Sequence, residues 1–282
     1  MRVQNAICSF VARRNFASVS QTSYPLDMDA VFQIMSPAMF AVALGVAVLA
    51  GIVKGTVGFG MPMILISGLT AFLSPELALA GLIVPTVVTN GMQALRQGVS
   101  AAWESVKRFR VFLIVGFFTM VASAQLVRVM PPDVFLLVIG VPVSTFALIQ
   151  LFGVEIHLPK PSVRLEAAIG GFAGAIGGIS GMWGPPTVMY LTALGTEKTE
   201  QMRVQGVIYG LGASALVGAH ITSGILNTQT APFSALLVVP AMVGMWIGGR
   251  IQDRIDQKTF KRFTLIVLTI AALNIVRKGL MG

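Results

Sequence analysis

Gly51-Ile52-Val53-Lys54-Gly55-Thr56-Val57-Gly58-Phe59-Gly60-Met61-Pro62 carries one charge in an otherwise apolar surrounding. Glycine permits the backbone angles that end a helix, and proline is pre-organised for the first turn of the next one. The stretch therefore predicts a helix end, a sharp break and a new helix starting at Pro62. A second copy lies further on. Gly51, Gly55, Gly58 and Pro62 recur as Gly174, Gly178, Gly181 and Pro185, each displaced by 123. Gly81 pairs with Gly206 and Phe135 with Phe260 at a displacement of 125, and Gly98 with Gly224 at 126. The near-constant offset predicts two related repeats, 37–153 and 164–282, joined by a linker at 154–163 and preceded by a tail at 1–36.

The solvent around both copies is lipid. Charged residues make up 11% of the 282 residues, and hydrophobic ones 55%, with a mean hydropathy of +0.82. A soluble domain carries about a quarter charged residues. No Asp, Glu, Lys or Arg occurs in 55–75 or 167–196. A spanning helix needs about 20 mostly apolar residues, and the polar-apolar alternation of a membrane barrel is not seen. The expected fold class is an all-α, multi-pass integral membrane protein.

Each repeat shows the same order of parts. An apolar run (37–53; 167–176) leads to the break, and a short run follows (62–73; 185–194). At ~1.5 Å per residue the short runs reach about 18 and 15 Å, less than the ~30 Å hydrocarbon core. This predicts a broken or re-entrant leading pair. Three spanning segments then follow: 77–95, 111–127 and 134–152, with counterparts 204–221, 233–249 and 260–276.

Loop charges speak to orientation. The loop after the first long span carries Arg96, Lys107, Arg108 and Arg110, while its counterpart around 227–230 carries none. The next loop holds Arg128 in the first repeat, but Arg250, Arg254, Lys258, Lys261 and Arg262 in the second. Since positive charge favours the cytoplasmic side, these short loops favour an inverted arrangement. Basic residues in the two tails level the comparison, and the short loops are given the weight.

The second break reads Gly177-Gly178-Ile179-Ser180-Gly181-Met182-Trp183-Gly184-Pro185-Pro186-Thr187. Each break exposes a helix N-terminus, whose free N–H groups and dipole favour anions. Paired interruptions in two halves are the sequence pointer to a transporter site. The competing reading is close helix packing through small residues, which Gly51-xxx-Gly55 fits. Lys54 stands where the second repeat has Gly177, so the shared fold does not require it. An ammonium in an apolar segment is by default functional, unless it snorkels to an interface.

The candidate substrate-binding residues are thus Lys54, Gly55, Gly58, Phe59, Gly60 and Pro62 from the first break, and Gly181, Trp183, Gly184, Pro185, Pro186 and Thr187 from the second. Asn90 joins them from the first long span, where Thr86, Thr89 and Gln93 are secondary candidates. His220 is a candidate for proton or ion coupling, against the blander role of an interhelical hydrogen bond. Arg203 is expected to pair with Glu200 at a helix start.

Inventory bounds the function. Cys8 is the one cysteine, so no disulfide framework or thiolate metal site is expected, and no cofactor or metal is expected elsewhere. The basic residues sit in short loops, which argues against a nucleic-acid partner despite the +9 charge. No Walker sequence appears. The expected partners are a small anionic substrate and the lipid bilayer, with a homodimer left open. A passive anion channel and a membrane-embedded enzyme are the alternatives; the enzyme lacks a His/Asp/Glu cluster, since His157 and His220 lie far apart. The tail, with Arg2, Arg13 and Arg14 and no acid before Asp27, fits either an organellar targeting segment or a disordered leader.

At the two breaks and in its duplicated layout, 37–278 resembles the sulfite exporter TauE/SafE family, also called the toluene-sulfonate uptake permeases. The likeness rests on Gly51 to Gly60 and on Gly178 to Pro186. It implies a secondary transporter in the bacterial cytoplasmic membrane for sulfur oxyanions such as sulfite, sulfoacetate, isethionate or other sulfonates. Met61, Trp183 and Leu95-Arg96-Gln97-Gly98 depart from the family pattern.

Overall fold

The computed structural model describes residues 31–281 except 33, 127–131, 155–157, 159–161, 181–183 and 223. Its elements are helices: α1 Pro37–Val57, α2 Met61–Leu69, α3 Pro75–Leu95, α4 Val99–Arg108, α5 Arg110–Leu126 and α6 Pro132–Leu151. They continue as α7 Val163–Ser180, α8 Gly184–Ala193, α9 Lys198–Thr222, α10 Ala231–Leu236, α11 Val238–Arg254 and α12 Gln257–Met281. Pro37–Val57, Glu76–Leu95, Ala231–Arg254 and Gln257–Met281 are long and apolar enough to cross a membrane. This is an all-α membrane protein.

Local chemistry sets the helix ends. Ser36 caps α1, its Oγ accepting from Met39 N at 3.2 Å, with Pro37 in the first turn. Ser74 does the same for α3 toward Leu77 N at 3.3 Å. Such caps satisfy N–H groups that a helix start leaves unpaired. The helix expected over 37–53 continues to Val57. It stops where Gly58 turns left-handed at φ 88° and donates its N–H to the Lys54 carbonyl at 2.7 Å. Gly60, at φ 91°, then starts α2. The left-handed angles at Gly58 and Gly60, on either side of Phe59, are strained for any residue with a Cβ. The nine residues of α2 rise only about 14 Å. This helix folds back along α1, with Gly68 against Val46 and Gly60 against Val53.

One stretch read as a loop is helical. Residues 99–108 form α4, which buries Ala102 and Ser105 and exposes Val99 and Trp103. Its last turn carries Lys107 and Arg108. The loop reading counted charges without asking whether they share a face; here the basic residues cluster in the final turn, where the helix dipole favours them.

Four pairings carry the packing: α1 with α11, α5 with α7, α3 with α9 and α6 with α12. Two are glycine seams. On α1, Gly51 and Gly55 press against the backbone at Ala241 and Met245 of α11. In return Gly244 and Gly248 press against Val48 and Ile52. Residue numbers rise together on both helices, so the pair is parallel. The α5–α7 seam is built the same way: Gly170 meets Phe112, and Gly174 meets Gly116 and Thr119. A Cβ at these positions would collide with a neighbouring main chain, which makes them small-xxx-small interfaces of the membrane kind. By contrast α3 and α9 run antiparallel, since Gly206 lies on Ala94 while Gly210 lies on Asn90. Glu166, buried on α7, accepts the Phe112 N–H at 3.0 Å and so caps the first turn of α5.

Candidate functional site

A cavity of about 480 Å³ lies where α2, α3, α8, α9 and α12 meet. Two helical stripes form its long walls. Asn90, Thr86, Ile83, Leu82 and Leu79 descend α3, while Tyr209, Ala213, Leu216 and His220 descend α9. Their spacings of three and four residues keep each set on one helix face. Since the helices are antiparallel, Asn90 faces the Tyr209 level and Leu79 the His220 level. Exposed Lys278, near the end of α12, completes the mouth.

Both helix breaks reach this cavity. The first contributes Lys54, Phe59, Gly60 and Pro62, and the second contributes Gly184 and Pro185. Tyr209 ties the second to α9, its hydroxyl donating to the Gly184 carbonyl at 3.1 Å. The N-terminal turns of α2 and α8 thus border a common space. Lys54 is 1% exposed, and its Nζ donates to Asn90 Oδ1. Asn90 lies five residues past the midpoint of α3, about 7.5 Å along its axis. A charge at the centre of a membrane helix costs about 2.5–3.5 kcal/mol on insertion scales. One hydrogen bond from a charged group returns about 1.5–3 kcal/mol and leaves the charge itself without a counter-charge. No ion pair between Lys54 and a carboxylate exists among the described residues. Snorkelling is excluded by the burial. Apart from the Tyr209 phenol, the ionisable lining is Lys54, His220 and Lys278, all basic types, in walls otherwise mostly apolar.

Beyond Lys54, away from the mouth, the molecule is closed by polar side chains. Gln93 Nε2 donates to the carbonyls of Gly58 at 3.1 Å and Met202 at 2.7 Å. Gln205, with its amide turned to donate, reaches the carbonyls of Val57 and Gly58 at 3.2 Å. Outside these, Arg203 donates to Ser105 Oγ at 2.7 Å and to Gln97. Gln97 in turn donates to Thr199 O at 2.8 Å, and Arg96 pairs with Asp253 at 2.6 Å. The expected Arg203–Glu200 pair is not what forms: Glu200 binds Arg108 instead. The helix-neighbour rule gave way to α4, which brings Ser105 and Arg108 against the start of α9.

Not every candidate lines the cavity. Gly55 belongs to the α1–α11 seam, and Gly58 packs on Gln205 and Met202. For these two, close packing and capping explain the glycine. Pro186 and Thr187 are buried within α8 away from the cavity wall. Gly181 and Trp183 lie outside the described residues. The sequence reading missed Tyr209, Met63 and Lys278. Tyr209 could have been found, since it falls on the helix face of His220 at turns of three and four residues.

The sulfite exporter TauE/SafE family matches residues 43–275, most of the chain and both breaks. The chain belongs to this family. TauE/SafE proteins are membrane transporters, not enzymes, and the match spans every element that lines the cavity apart from Lys278. Neither curated proteins nor solved structures yield a match.

Proposed function

We propose that the chain is a secondary transporter of a small organosulfonate. Its sulfonate group sits against Lys54, Asn90 and the starts of α2 and α8, and its organic part lies along the aliphatic walls. The observation that carries this reading is the buried Lys54 ammonium, joined among the described residues to a neutral amide and to no carboxylate, at the floor of a cavity bordered by two helix N-termini. An anion would supply the missing counter-charge, and helix N-termini favour anions by their dipoles. Size supports an organic sulfonate over bare sulfite: about 480 Å³ falls within the ~300–1,000 Å³ of small-molecule sites. Sulfite would leave most of the aliphatic wall facing water.

The helix directions support an inverted arrangement of repeats 37–153 and 164–282 about the linker at 154–163. Exchanging the repeats turns the parallel α1–α11 pair into the parallel α7–α5 pair and returns α3–α9 to itself. A helix that pairs antiparallel with its own counterpart fits a two-fold axis in the membrane plane. This is the geometry on which alternating access is commonly built. The basic residues around Arg96, Arg108, Lys198 and Arg254 then gather at one end, which the positive-inside rule assigns to the cytoplasm. The cytoplasmic membrane is the matching location.

Uptake of labelled sulfonates into proteoliposomes under imposed proton or sodium gradients tests the proposal. Saturable, gradient-driven flux is expected. Unsaturable flux would make the protein a channel, and chemical conversion without flux an enzyme.

A further inference from the structure

Helical threonines and serines in this protein normally turn the hydroxyl back onto their own helix. Thr56 bonds the Ile52 carbonyl at 2.8 Å, Thr89 that of Pro85 at 2.6 Å, and Thr119 that of Val115 at 2.8 Å. Ser144 and Thr269 do the same toward Gly140 and Leu265. In apolar surroundings this is the readiest way to satisfy a hydroxyl. Thr86 breaks the habit. It is 8% exposed, lines the cavity, and its Oγ1 has no partner among the described residues. Thr192 and Thr264 also lack one, but neither borders the cavity.

The place is particular. Thr86 stands one turn from Asn90 on the same face of α3, immediately after Pro85, which interrupts the helical bonding of α3. Ser234 occupies the irregular turn on the other side, accepting from Val84 N at 3.1 Å. The carbonyl oxygen of Asn90 is engaged by Lys54, so the remaining polar group of that amide is a donor. The cavity floor thus offers an ammonium and an amide N–H; the Thr86 hydroxyl is buried just behind that lining, and turning it toward an anion gives up no intrahelical bond.

We propose that Thr86 is a specificity-determining residue: its hydroxyl donates to one oxygen of the bound anion while Lys54 and Asn90 hold the others. Three donors at one floor match the three oxygens of a tetrahedral sulfonate. A carboxylate keeps its two oxygens in one plane, so a donor placed for the third, out-of-plane oxygen of a sulfonate gains no bond from it, and a site built to hydrogen-bond a group discriminates against the analogue that lacks it. The proposal rests on the anion-site reading above and adds the discrimination to it.

Benzenesulfonate and benzoate, titrated calorimetrically into protein held in lipid nanodiscs, provide the test, with thermal unfolding followed in parallel. Thr86→Val, which keeps the shape and deletes the hydroxyl, is expected to weaken benzenesulfonate binding about tenfold. Benzoate binding and the unfolding midpoint should stay as in the parent, and Thr86→Ser should restore sulfonate affinity. If Thr86→Val binds benzenesulfonate like the parent while Lys54→Ala does not bind it, Thr86 has no part in recognition and the anion site stands. Equal losses for both anions, or a loss accompanied by a lowered midpoint, would make the role structural and overturn the proposal. Failure of the parent to bind benzenesulfonate, or binding unaffected by Lys54→Ala, would remove the anion site and Thr86 with it.

Discussion

At one end of the α3–α9 pair, Gln93, Gln97 and Arg203 stitch the two helices to each other and to α4. At the other end the same helices face each other across the cavity through Leu79, Ile83, Ala213 and Leu216. The direction of pairing is constant; only the side chains change. Bonds of the first kind are directional, and each can be exchanged for one with water at small net cost. Walls of the second kind make no specific contact that holds a gap at one width. For the carrier proposed above, a pair fastened at one end and parted at the other would be one state of alternation, with Lys54 at the boundary.

Four changes would break or sharpen this contrast. The largest effect is all-or-none. In a Cys8→Ser background, Asn227→Cys at the parted end should react with an impermeant thiol reagent added outside cells, and Lys258→Cys at the fastened end should not. Labelling of both from one face would dismiss the opposition of the two ends. Next comes the boundary itself. Lys54→Ala should lower sulfonate affinity about a hundredfold, as expected when one member of a buried charge pair is truncated. Its unfolding midpoint should hold or rise, because an uncompensated buried charge is removed. Calorimetric titration and a melting curve read both.

Smaller effects belong to the fastened end. Gln93→Leu deprives the Gly58 and Met202 carbonyls of a donor and should lower stability by about 1–3 kcal/mol, measurable by denaturant titration in detergent. Arg96→Ala removes an exposed ion pair with Asp253, so about 0.2–1 kcal/mol is expected, shrinking as salt is raised. Arg96 and Gln93 differ in burial, and the ratio of their effects measures how much of the fastening lies inside the protein.

The break and the buried lysine were legible in the residues, for reasons that can be named, while the polar fastening at the other end was not. The break at Gly58-Phe59-Gly60 is local chemistry, and a second glycine–proline interruption recurs 123 residues on, with Trp183 where Gly60 stands. Lys54 stood out because charge in an apolar run is rare, and its amide partner Asn90 because polar residues are few on α3. Harder to read were positions where one residue type serves two purposes. Gly51 and Gly55 carry the same letters as a cap and as a packing seam, and only the opposing Gly244 and Gly248 decide for the seam. Arg203 had a good neighbour in Glu200 by spacing, yet its bonds run to Gln97 and Ser105, about a hundred residues away. Tyr209 shares the helix face of His220 by spacing, but an aromatic on an apolar face reads as packing until a carbonyl is found opposite.

Lys54 has no counterpart 123 residues on, where Gly177 stands, and this asymmetry has an electrical consequence. For a carrier of the proposed kind, a monovalent anion on the ammonium makes the loaded site neutral, so the membrane voltage does no work on its passage. The return of the unloaded site moves a positive charge, against or along a potential worth about 2.3 kcal/mol per 100 mV. Voltage would then govern how quickly the protein resets rather than how tightly it grips its cargo.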